Sequence, residues 1–377
     1  MRVLAALLAI ALASCTNNPP TALPTPVPTR EPGVLSVSVL LDLSGSRAPS
    51  GAPQRDAMQV WIDQAQSSPV KLRVKFVDVA SSDARLLLEL RRAVVEDRAD
   101  AIVVGVPVSA GGPFMDAVQV GSVPVLLTLP VSEPASGAGG RFAFALAPTP
   151  AQLAQLLASD LIDRDVLVPT LLAGDEAPAS VSDRLTFLAE LRGRSIAPPA
   201  PVSLTSPEGA QRVRAAATFA KSVVLFGASA PYGDVIRSIP VSATAPPVYL
   251  SYLTETADVT NLREQSALVT WPGSRSLTPG FVTTQAQRAF LQMFRDRHGA
   301  PSMLAASAFD ALGLIDTAAR QAPSELDAGN LRLRLETSTF RGVVTRYTFD
   351  PQRHAGFAIE DLAYLRWNVV RDAPELR

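Results

Sequence analysis

Short apolar runs alternate with amphipathic stretches of helical length along most of this 377-residue chain. Two of the runs, Val34–Leu41 and residues 101–106, are rich in valine, leucine and isoleucine, which is typical of the buried strands of a parallel sheet. The intervening residues 54–67 and 83–98 carry apolar side chains at helical spacing. Strands that alternate with helices in this way predict a doubly wound parallel sheet.

The alternation restarts after about 115 residues, which predicts a second unit of the same kind. Thr149-Pro150 resembles a helix N-cap followed by proline at the first helical position. Further strand and helix patterns follow, and long helices and two terminal strands end the chain. The sequence therefore predicts an α/β protein with two doubly wound parallel-sheet lobes.

The first 33 residues differ in composition from the rest of the chain. The apolar stretch 3–12 follows Arg2 and is too short to span a bilayer. MRVLAALLAIALASC resembles a bacterial lipoprotein signal peptide, which implies that residues 1–14 are removed and that Cys15 is lipidated; an ordinary secretory signal with a chance cysteine is the alternative. Residues 15–33 are rich in proline and threonine and predict an extended tether. We expect an extracytoplasmic protein anchored to a membrane, in the periplasm or at the cell surface.

The composition argues against several function classes. The chain has 34 Lys and Arg against 35 Asp and Glu, so no overall charge attracts nucleic acid. Cys15 is its only cysteine, and it has two histidines and no G-x-S-x-G motif. These counts argue against disulfides, cysteine metal sites and nucleophilic hydrolysis. We expect no enzyme activity and no cofactor.

The segment Asp42-Leu43-Ser44-Gly45-Ser46 follows the first predicted strand and has the spacing D-x-S-x-S. This spacing is similar to the first loop of the metal-ion-dependent adhesion site of von Willebrand A domains, where oxygen atoms hold a divalent cation. Such a site also needs a threonine and an aspartate from other loops, and the chain has no T-D-G motif. A metal-dependent adhesion domain therefore remains one hypothesis. A plain surface turn is another.

The same loop allows a different interpretation, because loops at the carboxyl ends of parallel strands line the crevice of an open sheet. Ser44 and Gly45 would then present a hydroxyl and backbone amides to a small polar molecule. Ser109 and Ala110 follow the apolar run 101–106 and open a predicted helix, residues 109–120. A helix N-terminus suits a carboxylate, although Ser109 can also be a simple helix cap.

Five segments together resemble one known family, the branched-chain amino-acid type of periplasmic binding protein that serves ABC transporters. They are VSVLLDLSGSRAPSG, VKLRVKFVDVASSDARLLLELRRAVVEDRADAIVVGVPVS, VPVLLTLPVSEP, ALVTWPG and GVVTRYTFDPQRHAGF, and the resemblance spans residues 35–370. It implies two lobes joined by a three-strand hinge, with crossings near residues 146–149, 271–275 and 337–343. Lobe 1 would comprise residues 34–146 and 275–338, and lobe 2 residues 147–272 and 341–371.

The resemblance also implies roles for particular residues. Ser109 matches the serine that holds the ligand carboxylate, and Ser132 and Pro130 match positions that face the ligand. The tyrosines of the family pattern are absent: Ser50-Gly51 and the sequence DEAPAS stand in their places. Tyr232, Tyr252 and Glu255 are candidate replacements, or rim and core residues without a ligand role. The expected ligand-binding set is Ser44, Gly45, Ser109, Ala110, Pro130, Ser132, Tyr232, Tyr252 and Glu255, with no metal.

The resemblance implies a solute-binding protein that captures a small molecule, foremost an amino acid, between its lobes and delivers it to an ABC permease. The missing tyrosines favour an alternative within the same fold, in which a degenerate cleft belongs to a sensor or a regulator of an envelope enzyme. The adhesion hypothesis depends on the D-x-S-x-S loop alone.

Overall fold

The computed structural model describes residues 31, 33–132, 140–206, 208–227, 232–239, 241–242, 244–253, 268–323 and 326–377. The predicted signal peptide, Cys15, nearly all of the tether and Glu255 lie outside these residues. None of the helices in the described part of the chain combines the length and the apolarity needed to cross a membrane.

The first sheet contains five parallel strands in the order β2-β1-β3-β4-β5. Its strands and helices, in chain order, are β1 (Val34–Leu41), α1 (Ala48–Gln64), β2 (Lys71–Asp78), α2 (Asp83–Val95), β3 (Ala101–Gly105), α3 (Pro113–Gly121), β4 (Val125–Leu127) and β5 (Ala143–Ala145). Every residue of β3 is buried, whereas the edge strand β2 exposes Lys71, Arg73 and Lys75. This difference explains why β3 reads as a continuous apolar run and β2 as an alternating one.

The second sheet repeats the same winding. Its elements are α4 (Pro150–Asp163), β6 (Thr170–Gly174), α5 (Pro178–Gly193), β7 (Pro201–Ser203), α6 (Gly209–Ala217), β8 (Ser222–Phe226), α7 (Tyr232–Arg237), β9 (Val248–Leu250) and β10 (Val269–Ser274). The strands β7-β6-β8-β9-β10 are parallel and adjacent in that order. Thr149 and Gln152 form a capping box at the start of α4, which confirms the predicted N-cap.

After β10 the chain returns to the first sheet. It forms α8 (Gln285–His298), α9 (Met303–Arg320), α10 (Ala328–Thr337) and the hairpin of β11 (Thr339–Arg341) and β12 (Arg346–Thr348). All residues of α9 except Thr317 and Arg320 are buried, and the helix packs in the same core as α1 and β1. Two strands, β13 (Leu362–Asn368) and β14 (Ala373–Leu376), then extend the second sheet in antiparallel fashion beside β10. The predicted class of two parallel-sheet α/β lobes is confirmed.

The third crossing between the lobes comes later than the predicted residues 337–343. Asp310 in α9 accepts hydrogen bonds from the amides of Val343 (2.7 Å) and Val344 (2.9 Å), which fixes the hairpin to lobe 1. Ala355 forms a parallel bridge with Ala145 at the end of β5. Residues 341–357 therefore lie with lobe 1, and the chain rejoins the second sheet only at Leu362.

Candidate functional site

A cleft of about 460 Å³ lies where the two lobes face each other. The loops after β1, β3 and β4 contribute to its lobe 1 side, and the loop after β6 with the first turns of α5 forms its lobe 2 side. Its lining residues are Arg47, Asp83, Leu86, Leu87, Pro107, Val108, Ser109, Ala110, Gly111, Pro113, Phe114, Pro130, Val131, Ser132, Pro150, Ala177, Pro178, Ala179, Ser182 and Asp183. The volume is in the range of small-molecule sites, and the lining is mostly apolar.

Four of the predicted ligand residues meet in this cleft: Ser109, Ala110, Pro130 and Ser132. The parallel order of β3 and β4 brings their following loops together. Ser109, however, does not begin a helix as predicted. Helix α3 starts at Pro113, after Gly112 with a positive φ of 79°, because the Gly-Gly-Pro sequence favours a turn before the first helical residue.

Ser44 and Gly45 are absent from the residues that line the cleft. Ser44 Oγ donates a hydrogen bond to Asp78 Oδ2 (2.6 Å), and the amides of Leu43 and Ser44 donate to Asp78 Oδ1 (2.9 and 3.2 Å). Burial alone would raise the pKa of Asp78, but the hydrogen bonds from Ser44 and the neighbouring amides lower it below its ordinary value. The polar groups of this loop thus bind the end of β2. Arg47, which directly follows the D-x-S-x-S segment, lines the cleft.

The Asp42 carboxylate is fully buried and already has protein partners. Its Oδ2 accepts a hydrogen bond from Arg47 Nε (2.6 Å), and its Oδ1 accepts one from the Ser81 amide (2.6 Å). The part of the chain described here contains no group of three or more His, Cys, Asp or Glu side chains placed to share a metal ion. Asp42 therefore orders the loop and orients Arg47, a role that differs from the one it would have in an adhesion site.

Tyr252 connects the two lobes and does not form an open wall of the cleft. It is 4% exposed, and its hydroxyl lies 3.4 Å from the Thr128 carbonyl oxygen and 3.5 Å from Ser307 Oγ, both in lobe 1. Tyr232 is the first residue of α7, and its side chain is outside the described part of the protein, as is all of Glu255. The predicted ligand roles of these three residues remain predictions.

Asp183, in the second turn of α5, is the cleft residue that the sequence did not indicate. It borders the cleft on one side and, on the other, a smaller cavity of about 30 Å³ that also contains Phe187, Tyr252 and Tyr364 in its walls. Burial raises the pKa of the Asp183 carboxyl from 3.8 to about 7. No motif marks this position, because an aspartate on a helix is usually a solvated surface residue.

A family model described as periplasmic binding protein matches residues 35–373. The chain belongs to this family. No curated protein sequence matches it. Among solved structures it is similar to an extracellular ligand-binding receptor from Rhodopseudomonas palustris HaA2, with 13% identity, coverage of 91% of this chain and 99% of the other, and a TM-score of 0.73.

Two further structural neighbours contain named ligands. The branched-chain amino acid transporter substrate binding protein from Streptococcus pneumoniae, in complex with isoleucine, is 15% identical over 91% of this chain and 99% of that one, with a TM-score of 0.70. An ABC transporter solute binding protein from R. palustris, in complex with benzoate, is 11% identical over 91% and 95%, with a TM-score of 0.69. At these identities the likeness shows the fold.

The loop after β6 contains the sequence DEAPAS, which stands in the place of a tyrosine of the family pattern, and Asp175 and Glu176 are its first residues. Asp175 is buried, and its Oδ1 accepts a hydrogen bond from the Ala177 amide (3.1 Å). Arg184 Nη1 donates to the Asp175 carbonyl oxygen (3.3 Å), and Arg184 pairs with Glu176 (3.5 Å). The loop is therefore held by its own polar contacts, and small residues, Ala177 and Ala179, face the cleft.

Proposed function

We propose that this protein is a lipid-anchored, extracytoplasmic solute-binding protein that captures a small molecule between its lobes and delivers it to an ABC permease. The cleft of about 460 Å³ carries the proposal, because residues from both lobes line it. A ligand that contacts both walls stabilises the closed arrangement of the lobes. The permease would then recognise the closed form.

An amino acid is the first ligand class to consider. Ser109 and Ser132 lie on the lobe 1 wall, where their hydroxyls can donate hydrogen bonds to a carboxylate. The apolar walls, among them Leu87, Val108 and Phe114, suit an aliphatic or aromatic side chain. Isoleucine and benzoate, the ligands of two structural neighbours, both contain a carboxylate.

Thermal unfolding in the presence of a panel of amino acids, amines and organic acids tests ligand capture. A true ligand at a hundredfold excess over its dissociation constant adds about 2.7 kcal/mol to the stability of the folded state, which raises the melting temperature. The double variant Ser109→Ala/Ser132→Ala should lose the response to ligands that contain a carboxylate, whereas Ser242→Ala, on an exposed part of lobe 2, should retain it. A panel without any response would refute the proposal.

Membrane attachment needs its own experiment. Expression of the full chain in a bacterial host with a labelled fatty acid should label the protein and place it in the membrane fraction. The Cys15→Ala variant should lose both the label and the attachment. Release of the wild-type protein without label would contradict lipidation and favour an ordinary secretory signal.

One observation favours a second candidate function within the same family. Tyr252 already joins the two lobes, and the loop after β6 supplies no aromatic side chain to the cleft. A lipoprotein that has lost ligand capture and acts as a sensor or regulator would be silent in the thermal assay. Affinity purification from the native envelope would then recover an enzyme partner in place of a permease.

A further inference from the structure

Asp183 is a carboxylate without a partner at the boundary of two cavities. Among the described residues, none forms a hydrogen bond or an ion pair with it, and burial is the sole cause of its raised pKa. Its side chain is partly buried, and a partly buried charge that no protein group neutralises is unfavourable in the folded state. Such a group at the wall of a cleft points to a ligand that supplies the missing positive charge.

The surroundings of Asp183 favour an organic ammonium group in particular. The smaller cavity next to it is lined by Pro150, Leu153, Ala154, Leu157, Asp183, Phe187, Val224, Phe226, Leu250, Ser251, Tyr252, Pro272 and Tyr364. Four of these side chains are aromatic, and aromatic faces attract ammonium groups, most strongly when water is excluded. The cavity of about 30 Å³ has room for a small head group or for one or two water molecules.

The opposite wall offers no matching positive charge. Arg47 is the one cationic side chain among the described cleft residues, and its guanidinium is already paired. Its Nε contacts the buried Asp42 at 2.6 Å, and its Nη1 contacts Asp83 at 3.3 Å. A ligand carboxylate would therefore meet serine hydroxyls but no free cation, whereas a ligand amine would meet the unpaired Asp183.

We propose that Asp183 binds a cationic amine of the ligand and that the cleft selects compounds with a net positive charge and an apolar body. This inference rests on the proposed solute-binding function and narrows its ligand class. An amine forms a charge-assisted hydrogen bond with Asp183, while the remainder of the ligand packs against the apolar walls. The amine is thus the group that the site requires, and the carboxylate of an amino acid is dispensable.

Isothermal titration calorimetry with matched compounds tests this selection in the full chain at pH 7.5. Two series keep the apolar body constant: L-leucine, 3-methylbutylamine and 4-methylpentanoate, and L-phenylalanine, phenethylamine and 3-phenylpropionate. We expect one of the amines to bind at least tenfold more tightly than the corresponding amino acid and acid. Tighter binding of the amino acid or the acid in both series would overturn the inference while leaving the proposed function intact.

The variant Asp183→Asn keeps the shape of the side chain and removes its charge. We expect it to weaken amine binding at least tenfold and to leave binding of the uncharged analogue 4-methylpentanamide unchanged. Asp163→Asn is the control, since it removes the same charge from an exposed position at the end of α4 in the same lobe. Unchanged amine affinity in Asp183→Asn, with a normal melting curve, would also overturn the inference.

Absence of detectable binding by every compound in both series and in the wider ligand panel has a different meaning. It would refute solute capture itself, and the inference about Asp183 would fall with it. The two failures are therefore distinguishable: selective failure of the amines removes the inference alone, and failure of all ligands removes both.

Discussion

Replacement of Asp183 by asparagine should change the pH dependence of stability in a calculable way. The folded state holds the proton of this carboxyl up to a pH of about 7, whereas the unfolded chain releases it near 3.8. Between these values the folded state binds more protons than the unfolded state, so the free energy of unfolding falls as the pH rises. This contribution is absent below the unfolded pKa and reaches its full, destabilising size above the folded pKa.

The magnitude follows from the difference between the two pKa values. Each pH unit corresponds to about 1.36 kcal/mol, so a difference of about three units amounts to at most about 4 kcal/mol. The asparagine side chain of the variant does not titrate. The stability of Asp183→Asn relative to the wild type should therefore rise by up to about 4 kcal/mol between pH 4 and pH 8. In urea, that corresponds to a shift of the midpoint by about 1 M.

Urea unfolding at a series of pH values, followed by tryptophan fluorescence, measures this difference. Asp310 also has a pKa raised to about 7 by burial, but it is present in both proteins and cancels in the comparison. Asp163→Asn should show no pH-dependent difference from the wild type. A constant difference between Asp183→Asn and the wild type across the pH range would refute the reasoning that this carboxyl is unpaired and partly buried.

Three further substitutions test the structural roles assigned above. Asp42→Ala should lower the free energy of unfolding in urea by about 3 to 5 kcal/mol, because it leaves the Arg47 guanidinium without its buried partner. Mg²⁺ or Ca²⁺ should not change the melting temperature of the wild type, and a rise with either metal would support the adhesion hypothesis. Gly51→Ala should lower the free energy of unfolding by at least about 2 kcal/mol, because its Cβ would overlap the Asp42 backbone carbonyl. The control Gly193→Ala has open space around its Cβ and should leave stability unchanged or slightly raised. Equal changes in stability for the two variants would contradict this packing. Tyr252→Phe should cost about 0.5 to 1.5 kcal/mol, because it removes a buried hydroxyl that lies near Thr128 and Ser307 of lobe 1. An unchanged free energy of unfolding would contradict a stabilising link between the lobes at this residue.

Local sequence signals predicted the elements that depend on neighbouring residues. The observed bounds of β1 match the predicted ones, because a largely buried central strand needs a run rich in apolar residues. The N-cap at Thr149 was also predictable, since it depends on adjacent residues, Thr149 and Pro150. The meeting of Ser109 with Ser132 followed from the rule that parallel strands end at the same edge of a sheet.

Helix α1 shows where local signals were insufficient. It begins at Ala48, six residues before the predicted start, and contains Pro53 in its first turns. Proline and glycine between residues 49 and 53 read as a turn, but the helix is anchored by tertiary contacts there. Gln54 Nε2 donates a hydrogen bond to the Gly105 carbonyl oxygen (2.9 Å), and Gln54 Oε1 accepts one from Thr128 (2.5 Å).

The third crossing and the polar groups of the cleft depended on contacts between residues far apart in the chain. Asp310 binds the hairpin amides more than 30 residues away, which keeps residues 341–357 on lobe 1. Asp78 accepts a hydrogen bond from the Ser44 hydroxyl, and Asp42 accepts one from the Arg47 guanidinium. Neither Ser44 nor the carboxylate of the D-x-S-x-S loop is therefore free for a ligand. Spacing along the sequence identifies groups that can bind, but it does not show which of them the protein itself already satisfies.

By itself, then, the order of apolar runs and amphipathic helices determined that this chain forms two doubly wound sheets. The reason is that the apolar pattern of each strand or helix depends on which of its own residues are buried and is therefore visible in a short stretch of sequence. The tertiary structure alone decided that Asp183 stands unpaired between two cavities. The physical reason is that the electrostatic state of a carboxylate depends on the groups that surround it in space, and for Asp183 those groups come from helices, strands and loops spread over more than 200 residues.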